Sequence, residues 1–311
     1  MSEVSLDAGP GDMLSDAASA FTRYEAIRPR LPAARYPARS LHLPSLEEVA
    51  DHVDGFLLDA FGVLNVGDTA IPGAVARMAS LRARGKRLAV LTNAASYTRE
   101  QLLAKYHRLG FDFTADEVVA SRDVAVARLQ AIAPGATWAA IAAEGDTFAD
   151  IPARLIDALA DPAAFDRADA VVFLSTARWT PALQRRLTRA LDRRPRPLVI
   201  ANPDLVAPRE GGLTLEPGLF GHELLDALPG LEVHWFGKPF PEAFAEGISR
   251  TGLAPDRLAM VGDTLHTDVL GGAAAGCRSV LVTDHGLFAG RDTAPFIAAA
   301  GIVPDFIVPS P

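Results

Sequence analysis

Short apolar runs that alternate with helix-like segments determine the fold class of this sequence. Helical patterns between the runs include 70–85, where we expect Pro72 in the first turn and Gly85 just past the end, and 98–110. This alternation predicts an α/β fold with a doubly wound, mostly parallel sheet. The apolar runs are GFLLD (55–59), RLAVLTN (87–93), EVVAS (117–121), RLAMVGD (257–263) and SVLVTD (279–284).

The middle of the chain carries its own strand and helix patterns, and proline–glycine pairs mark both of its ends. The pairs lie in AIAPGAT (131–137) and ALPGLEV (227–233). We therefore predict a second α/β domain at 134–232, inserted into a core formed by 41–133 and 233–311, and we expect it to move as a body about these joints. Its internal patterns cover 137–145, 168–179, 180–194 and 196–204.

Residues 1–40 precede the first apolar run and are rich in proline and arginine over 27–40. This composition predicts a loosely attached N-terminal extension that serves as an extended linker or surface wrap. The start of the chain carries acids and no apolar core, which is not typical of a secretory signal. No apolar run approaches the roughly 18 residues of a membrane helix. We expect a soluble, cytoplasmic protein with no membrane partner.

Net charge and cysteine content bear on two further classes. The net charge is −8 at pH 7, which disfavours a nucleic-acid partner. The single cysteine, Cys277, cannot form an internal disulfide, and we predict a small buried thiol. The sequence leaves the oligomeric state open, and a homodimer is one of the states it allows.

Chemically useful side chains follow several of the apolar runs. Ligands bind beyond the carboxyl ends of the strands in open parallel sheets. One such residue alone is more often a turn former, but together these supply a nucleophile, a hydroxyl, a cation and paired acids. Lys238 is moreover one of only three lysines in the chain. The residues are Asp59, Thr92, Asn93, Lys238, Asp263 and Asp268.

These residue types suit one reaction, the hydrolysis of a phosphate ester. Asp59 can attack phosphorus and form an aspartyl phosphate. The Thr92 hydroxyl and neighbouring backbone N–H groups, at Asn93 and beyond, can bind phosphoryl oxygens. Lys238 can offset the charge of both carboxylate and phosphate, and Asp59 with Asp263 can hold Mg²⁺. We predict a Mg²⁺-dependent phosphatase that acts on a small phosphorylated metabolite.

Four segments resemble, in family order, the motifs of the haloacid dehalogenase (HAD) superfamily, and of its subfamily IIA of nitrophenylphosphatase and sugar-phosphatase-like proteins. The similarity extends from about Leu46 to about Gly286. It implies a doubly wound core with the inserted domain lying as a cap over the active site. The segments are LLDAFGVLNVG (57–67), VLTNAAS (90–96), GKPFPEAF (237–244) and MVGDTLHTDVLGGAAAG (260–276), with VIANPD (199–204) resembling the cap motif.

The resemblance also implies roles for individual residues. Asp59 would be the nucleophile. The backbone carbonyl of Phe61 and the carboxylate of Asp263 would complete the protein ligands to Mg²⁺, and Asp268 would support the metal shell. The phosphate-binding role falls to the threonine and the lysine already named.

Two cap residues, Asn202 and Asp204, would contact the substrate if the resemblance extends to the cap motif. Residues of cap loops are more often structural turn formers, however. The predicted substrate contacts of this pair are therefore the least constrained part of the site.

Phe61 departs from the family, most of whose phosphatases carry a second Asp there as general acid and base. The metal does not need that side chain, because the ligand at this position is the main-chain carbonyl. We therefore expect metal and phosphate binding to survive while the rate falls by about 10²–10⁴-fold. If a general acid is supplied from elsewhere, the candidates are His266, Asp204 and Glu210.

Other functions are weighed against this one. The alternative is a phosphate-ligand-binding or regulatory protein of the same fold with little or no turnover, and Phe61 is its only support. The phosphonate-cleaving branch of the superfamily also lacks the second acid, but it needs a cap lysine, and 134–232 contains none. Carbon–halogen cleavage needs no metal and leaves the acids of GDTLHTD (262–268) unexplained.

Overall fold

Two parallel sheets organise the protein, as the alternating pattern predicts. The computed structural model describes residues 14, 16–209 and 211–311. Its strands are β1 (Leu41–His42), β2 (Gly55–Leu58), β3 (Asn65–Val66), β4 (Thr69–Ala70), β5 (Arg87–Thr92), β6 (Val118–Ala120), β7 (Thr137–Ile141), β8 (Arg154–Asp157), β9 (Ala170–Phe173), β10 (Leu198–Ile200), β11 (Val206–Arg209), β12 (Gly212–Leu215), β13 (Val233–Trp235), β14 (Leu258–Gly262), β15 (Arg278–Val282) and β16 (Phe306–Val308).

Helices connect and cover these strands. A π-helical turn at Leu265–Val269 and 3₁₀ turns, among them Arg28–Arg30 and Gly286–Phe288, complete the secondary structure used below. The α-helices are α1 (Ala17–Ile27), α2 (Leu46–Val49), α3 (Ala74–Ala83), α4 (Arg99–Arg108), α5 (Ser121–Val126), α6 (Leu129–Ile132), α7 (Ala164–Arg167), α8 (Pro181–Arg193), α9 (Pro217–Ala227), α10 (Pro241–Thr251), α11 (Leu270–Ala274) and α12 (Ala294–Ala300).

The larger sheet has seven strands in the order β1-β16-β15-β14-β2-β5-β6, and all its neighbours pair in parallel. All five apolar runs of the sequence form strands of this sheet. The central strands β14 and β2 are buried along their whole length. Because β14, β2 and β5 are neighbours, the side chains that follow them meet at one edge.

The smaller sheet has five parallel strands in the order β13-β10-β9-β7-β8. It lies in the inserted segment, which we call the cap, together with the antiparallel hairpin of β11 and β12. Strand β13 lies beyond residue 232, where the sequence placed the end of the inserted domain. The domain boundaries otherwise stay a prediction.

Helix ends follow the local signals, with one difference. Thr98 and Gln101 form a capping box at the start of α4, and Gly85 lies past α3 with a φ of 74°. Pro72 is not in the first turn of α3, as we expected from the sequence. The helix begins after Gly73, whose φ of 83° is left-handed and therefore favours glycine.

The N-terminal segment differs from the prediction of a loosely attached extension, of which residues 1–13 and 15 lie outside the described part. Helix α1 starts with a capping box between Asp16 and Ser19. Its buried face contacts residues of both the core and the cap. The helical spacing of this apolar face outweighs the proline- and arginine-rich composition that follows it. The buried residues of α1 are Ala17, Ala20, Tyr24 and Ile27.

A buried ion-pair cluster joins the cap to the core near the first joint. Arg122 in α5 has a fully buried side chain. Its Nη1 lies 2.6 Å from an oxygen of Asp146, and its Nε lies 2.7 Å from an oxygen of Asp150. Both acids belong to the segment between β7 and β8, so the cation of the core neutralises carboxylates of the cap.

Two expectations from composition can be compared with the structure. Cys277 is free and buried, which confirms the predicted small buried thiol. Over the described residues, every helix falls short of the length and hydropathy that a membrane-crossing segment requires.

Candidate active site

The carboxyl end of β2 presents Asp59 at the edge of the core sheet. The chain then turns at Gly62, whose φ is 79°. A Cβ atom at Gly62 would lie 2.7 Å from side-chain atoms of Asp263, so glycine is required here both by the backbone and by the close approach. The turn thereby allows the acid that follows β14 to come close to the acid that follows β2.

Lys238 lies between two of the predicted acids. Its Nζ is 2.7 Å from Asp59 Oδ1 and 2.7 Å from Asp268 Oδ1, and its side chain is 1% exposed. The other oxygen of Asp268 accepts a hydrogen bond from the backbone N–H of Thr264 at 3.1 Å. Asp268 is thus committed to the lysine and the backbone, which suits a supporting position rather than a direct metal ligand.

Burial and crowding of like charges perturb the acids. Burial, together with the nearby Asp268 carboxylate, raises the pKa of Asp59 to about 7 despite the lysine. Burial and the carboxylates of Asp268 and Asp59 raise the pKa of Asp263 to about 8. Burial opposes the charge of Lys238, but Asp268 and Asp59 outweigh it and raise the lysine pKa, so Lys238 stays protonated.

The donor set fits a divalent cation. Carboxylate oxygens of Asp59, Asp263 and Asp268 lie within 4.8 Å of one another. Three acids face one lysine, so ionising all three leaves negative charge that a cation would offset, and oxygen ligands of this kind suit Mg²⁺. The backbone carbonyl of Phe61 follows the first acid in the same turn and stays a predicted ligand.

The phosphate-binding residues proposed from the sequence also reach this edge. Thr92 is buried at the end of β5, and its hydroxyl accepts a hydrogen bond from Ala94 N at 3.2 Å. The Asn93 amide holds the backbone of Lys238 on both sides, accepting from its N–H at 2.7 Å and donating to its carbonyl at 2.9 Å. The side chain of Asn93 therefore positions Lys238, and a phosphate contact through the Asn93 backbone N–H stays a prediction.

The two cap residues differ in their surroundings. Asn202 accepts from Asp204 N at 3.0 Å and donates to Glu216 at 3.1 Å, which is the geometry of a loop-forming residue. Asp204 instead accepts from Asn93 at 2.9 Å and so spans from cap to core. Burial raises the pKa of Asp204 well above its ordinary range, although Lys238 opposes the shift.

Phe61 occupies the boundary between core and cap. Its ring centroid lies 4.4 Å from the Arg209 guanidinium carbon and 4.9 Å from Lys105 Nζ. Arg209 belongs to the cap hairpin and Lys105 to α4, so cations from both parts of the protein contact the ring. Sequence reasoning missed both partners. The rarity of lysine was a signal for Lys105, but nothing local distinguishes Arg209 among the many arginines.

The cavity above Asp59 is small. Its volume is about 40 Å³, and on this measure a cavity needs roughly 10–15 Å³ to hold one water molecule. Core and cap both contribute to its wall, through Asp59, Thr92 and Asp263 on one side and Asp204 and Arg209 on the other. In this arrangement the cap lies over the predicted nucleophile and leaves the Asp59 side chain 13% exposed.

The three alternative general acids lie in different surroundings. Asp204 lines the cavity. His266 is 1% exposed, and its Nε2 lies 2.5 Å from an oxygen of Glu25 in α1. Burial lowers the pKa of His266 to about 4, which leaves the ring neutral near pH 7. Glu210 lies outside the described residues.

Known protein families and individual proteins match this sequence. A family model described as haloacid dehalogenase-like hydrolase matches residues 56–149, and one described as HAD-hydrolase-like matches 235–310. Glycerol-3-phosphate phosphatase of Gallus gallus is 32% identical over 295 residues, which cover 88% of this chain and 94% of that protein.

Solved structures give the same result. A protein of Cytophaga hutchinsonii, described as a possible sugar phosphatase of the HAD superfamily, aligns with a TM-score of 0.73 at 27% identity and covers 86% of this chain and 97% of its own. Glycerol phosphate phosphatase of Mycobacterium tuberculosis, in complex with magnesium, aligns with a TM-score of 0.61 at 29% identity, over 76% of this chain and 70% of its own. The resemblance carried by the sequence motifs is confirmed, and the chain belongs to the haloacid dehalogenase-like hydrolases.

Proposed function

We propose that this protein is a Mg²⁺-dependent phosphatase that hydrolyses small phosphate monoesters or activated phosphates through an aspartyl-phosphate intermediate on Asp59. The observation that carries the proposal is the convergence of Asp59, Asp263 and Lys238 at one buried sheet edge. Family membership and the phosphatase activities named for its relatives support it. A cytoplasmic location and the oligomeric state stay predictions from the sequence.

Each of these residues has a separate role in the proposed reaction. A carboxylate oxygen of Asp59 attacks phosphorus while the bond to the leaving oxygen breaks, and water then releases phosphate from the aspartyl group. Lys238 screens the repulsion between this carboxylate and the incoming phosphate. Thr92 and the backbone N–H of Asn93 orient the phosphoryl oxygens. When bound by Asp59, the Phe61 carbonyl and Asp263, Mg²⁺ supplies charge neutralisation at the phosphoryl group.

Because position 61 is a phenylalanine, the site lacks a general acid at this position. A phenyl ring neither donates nor accepts a proton, so the leaving oxygen departs unprotonated unless another residue supplies the proton. Asp204 is the described candidate that lines the cavity, and burial favours its protonated form. With no donor in place, activated phosphates are better substrates than alkyl phosphates.

The retained alternative is a phosphate-ligand-binding protein with little or no turnover, which Phe61 supports. A pure binding protein has no need of a buried nucleophile paired with a lysine, and this pairing weighs against it. Phosphate release should be measured on 4-nitrophenyl phosphate and on a panel of phosphorylated metabolites, with and without Mg²⁺. The Asp59→Asn variant is the matched control, since it keeps shape and removes the nucleophile. Turnover that survives in this variant or needs no metal contradicts the proposal.

A further inference from the structure

The N-terminal strap, which we define as residues 16–31, has no role in the reaction described above. It comprises α1 and the 3₁₀ turn Arg28–Arg30. The face of α1 that carries Tyr24 is buried, and Tyr24 itself is 2% exposed. A helix buried to this extent is an integral part of the fold, and its contacts indicate what it holds together.

On one side the strap is anchored to the core. The Tyr24 ring stacks on His266 with centroids 4.9 Å apart and planes within 8°. His266 also contacts Glu25 and meets the edge of Phe21 at 5.5 Å. His266 belongs to the π-helical turn that carries Asp268, the partner of the active-site lysine. The anchor therefore lies in the same turn as an active-site residue.

On the other side the strap contacts the cap. The backbone N–H of Leu205 donates a buried hydrogen bond to the Tyr24 hydroxyl at 3.1 Å. Leu205 directly follows Asp204, which accepts from Asn93 of the core. Burial raises the pKa of Tyr24 well above its ordinary value, so the group stays a neutral phenol. The Tyr24 hydroxyl thus connects the strap to the cap loop that reaches the phosphate site.

The ion pairs between strap and cap contribute less to the stability of this interface. Arg23 and Arg30 pair with Asp226 at 2.5 and 2.6 Å, but all three side chains are partly exposed. Exposed ion pairs contribute little to stability. Breaking the bond from Leu205 to Tyr24, in contrast, leaves a buried N–H without a partner, which is the more costly event. Of these strap contacts, the bond from Leu205 to Tyr24 is therefore the one that bears most on the position of the loop, which Asp204 also ties to Asn93 of the core.

The small cavity above Asp59 links the hydrogen bond between Leu205 and Tyr24 to substrate entry. Its volume of about 40 Å³ holds roughly three water molecules, which is less than the heavy atoms of any phosphate ester need, so we take the cap loop to move outward when a substrate binds. Tyr24 is fixed to the core by its stack on His266. When the loop moves, Leu205 leaves the tyrosine hydroxyl, and the hydrogen bond opposes entry.

We propose that the N-terminal strap controls access to the phosphate site, and that Tyr24 is the positioning residue that latches the cap loop of Asp204 and Leu205 over it. The substrate side of this inference rests on the proposed function. The strap holds the closed arrangement, and the contact to Leu205 is lost when the loop moves outward to admit a substrate.

The test uses the full-length protein with Tyr24→Phe, which keeps the buried ring and removes only the hydroxyl. Tyr36→Phe is the matched control, because the Tyr36 hydroxyl accepts from Arg28 within the same N-terminal region at 3.2 Å. Amide hydrogen exchange is measured first, without any ligand. In Tyr24→Phe we expect exchange of 202–207 to rise about two- to tenfold, as the loss of one hydrogen bond implies. Exchange of β10 should stay unchanged.

Kinetics on 4-nitrophenyl phosphate with Mg²⁺ provide the second readout. Because the variant destabilises the closed arrangement and leaves the open one unchanged, kcat/KM should rise about two- to tenfold. Tyr36→Phe should leave it unchanged. A residue with a merely structural role gives the opposite result, since a damaged fold lowers activity.

Either of two results overturns the inference: exchange of 202–207 that is unchanged or that rises equally in β10, or a kcat/KM that stays level or falls. Failure of the proposed function is distinguishable, because the wild-type protein would then release no phosphate. In that case exchange alone decides whether Tyr24 latches the loop.

Discussion

Lys238 Nζ donates to Asp59 Oδ1 at 2.7 Å, so the predicted nucleophile is paired with a fully buried cation. The pair lies at the carboxyl end of β2, and Asp268 holds the lysine from the other side. Because burial raises the pKa of Asp59 to about 7 even with the lysine present, the cation is what keeps a nucleophilic carboxylate available near neutral pH.

Lys238→Met should abolish turnover and also lower the thermal stability of the metal-free protein. The change leaves Asp59 and Asp268 facing each other without a cation, and breaking a buried pair in this way costs about 3–5 kcal/mol. Calorimetry and phosphate release measure the two effects. Lys86→Met is the control, because the Lys86 amine donates to the backbone carbonyl of Val53 and not to a carboxylate. Wild-type turnover in Lys238→Met would dismiss the electrostatic role.

Mg²⁺ should bind more tightly at pH 8.5 than at pH 6. The metal needs the ionised carboxylates, and burial holds the pKa of Asp59 near 7 and that of Asp263 near 8. Binding therefore displaces protons, and affinity falls as the pH drops through this range. Titration calorimetry at both pH values tests this, with Asp263→Asn expected to lose most of the affinity. Equal affinities for variant and wild type would exclude Asp263 as a ligand.

The rate should depend steeply on the pKa of the leaving group, with nitrophenyl or acyl phosphates fast and alkyl phosphates slow. Phe61→Asp should raise turnover on alkyl phosphates, but by less than the full 10²–10⁴-fold of general acid catalysis. The reason is that Arg209 and Lys105, which flank the ring, would favour the ionised form of the new acid. The measurement is the slope of log kcat/KM against leaving-group pKa in both proteins. A shallow wild-type slope means that an acid is already present, and Asp204→Asn is then the next variant.

The buried His222 should lower the free energy of unfolding as the pH falls below about 6.5. This ring is buried in α9, stacks on Trp235 at 4.3 Å, and has a pKa lowered to about 3 by burial and then by Arg30 and Arg23. The unfolded chain therefore binds the proton more readily, so His222 contributes stability above about pH 6.5 and loses it by up to about 1.4 kcal/mol per pH unit below.

The measurement is the difference in unfolding free energy between wild type and His222→Phe from pH 7 to pH 5. A difference is needed because the raised pKa values of Asp59 and Asp263 act in the opposite direction in the metal-free protein. His234→Phe, at a partly exposed histidine, is the control. An unchanged pH slope in His222→Phe would contradict the assignment.

The sequence was sufficient to predict the core sheet and the meeting of its acids, because both follow from local rules. Apolar runs of strand length form parallel strands, and parallel strands end at the same edge. The same rules placed Asp59, Thr92 and Asp263 together without reference to any contact between them. The roles of these residues remain proposals.

Long-range contacts could not be predicted in the same way. The partners of Phe61 come from α4 and from the cap hairpin, and Tyr24 meets a loop far along the chain at Leu205. No local pattern specifies such pairs, because they depend on how finished elements pack. Helix α1 itself had a local signal, the Asp16 cap before an apolar face, which the composition of the following residues obscured.

Arg122 couples the core to the cap, so neither part of this enzyme can be exchanged with that of a related protein independently of the other. A chimera that places this cap on a related core without an arginine at that position would leave Asp146 and Asp150 facing each other with no cation between them. The reverse chimera would strand a guanidinium in the core. Recombination at the joint therefore succeeds only when the arginine and its two acids are inherited as one unit.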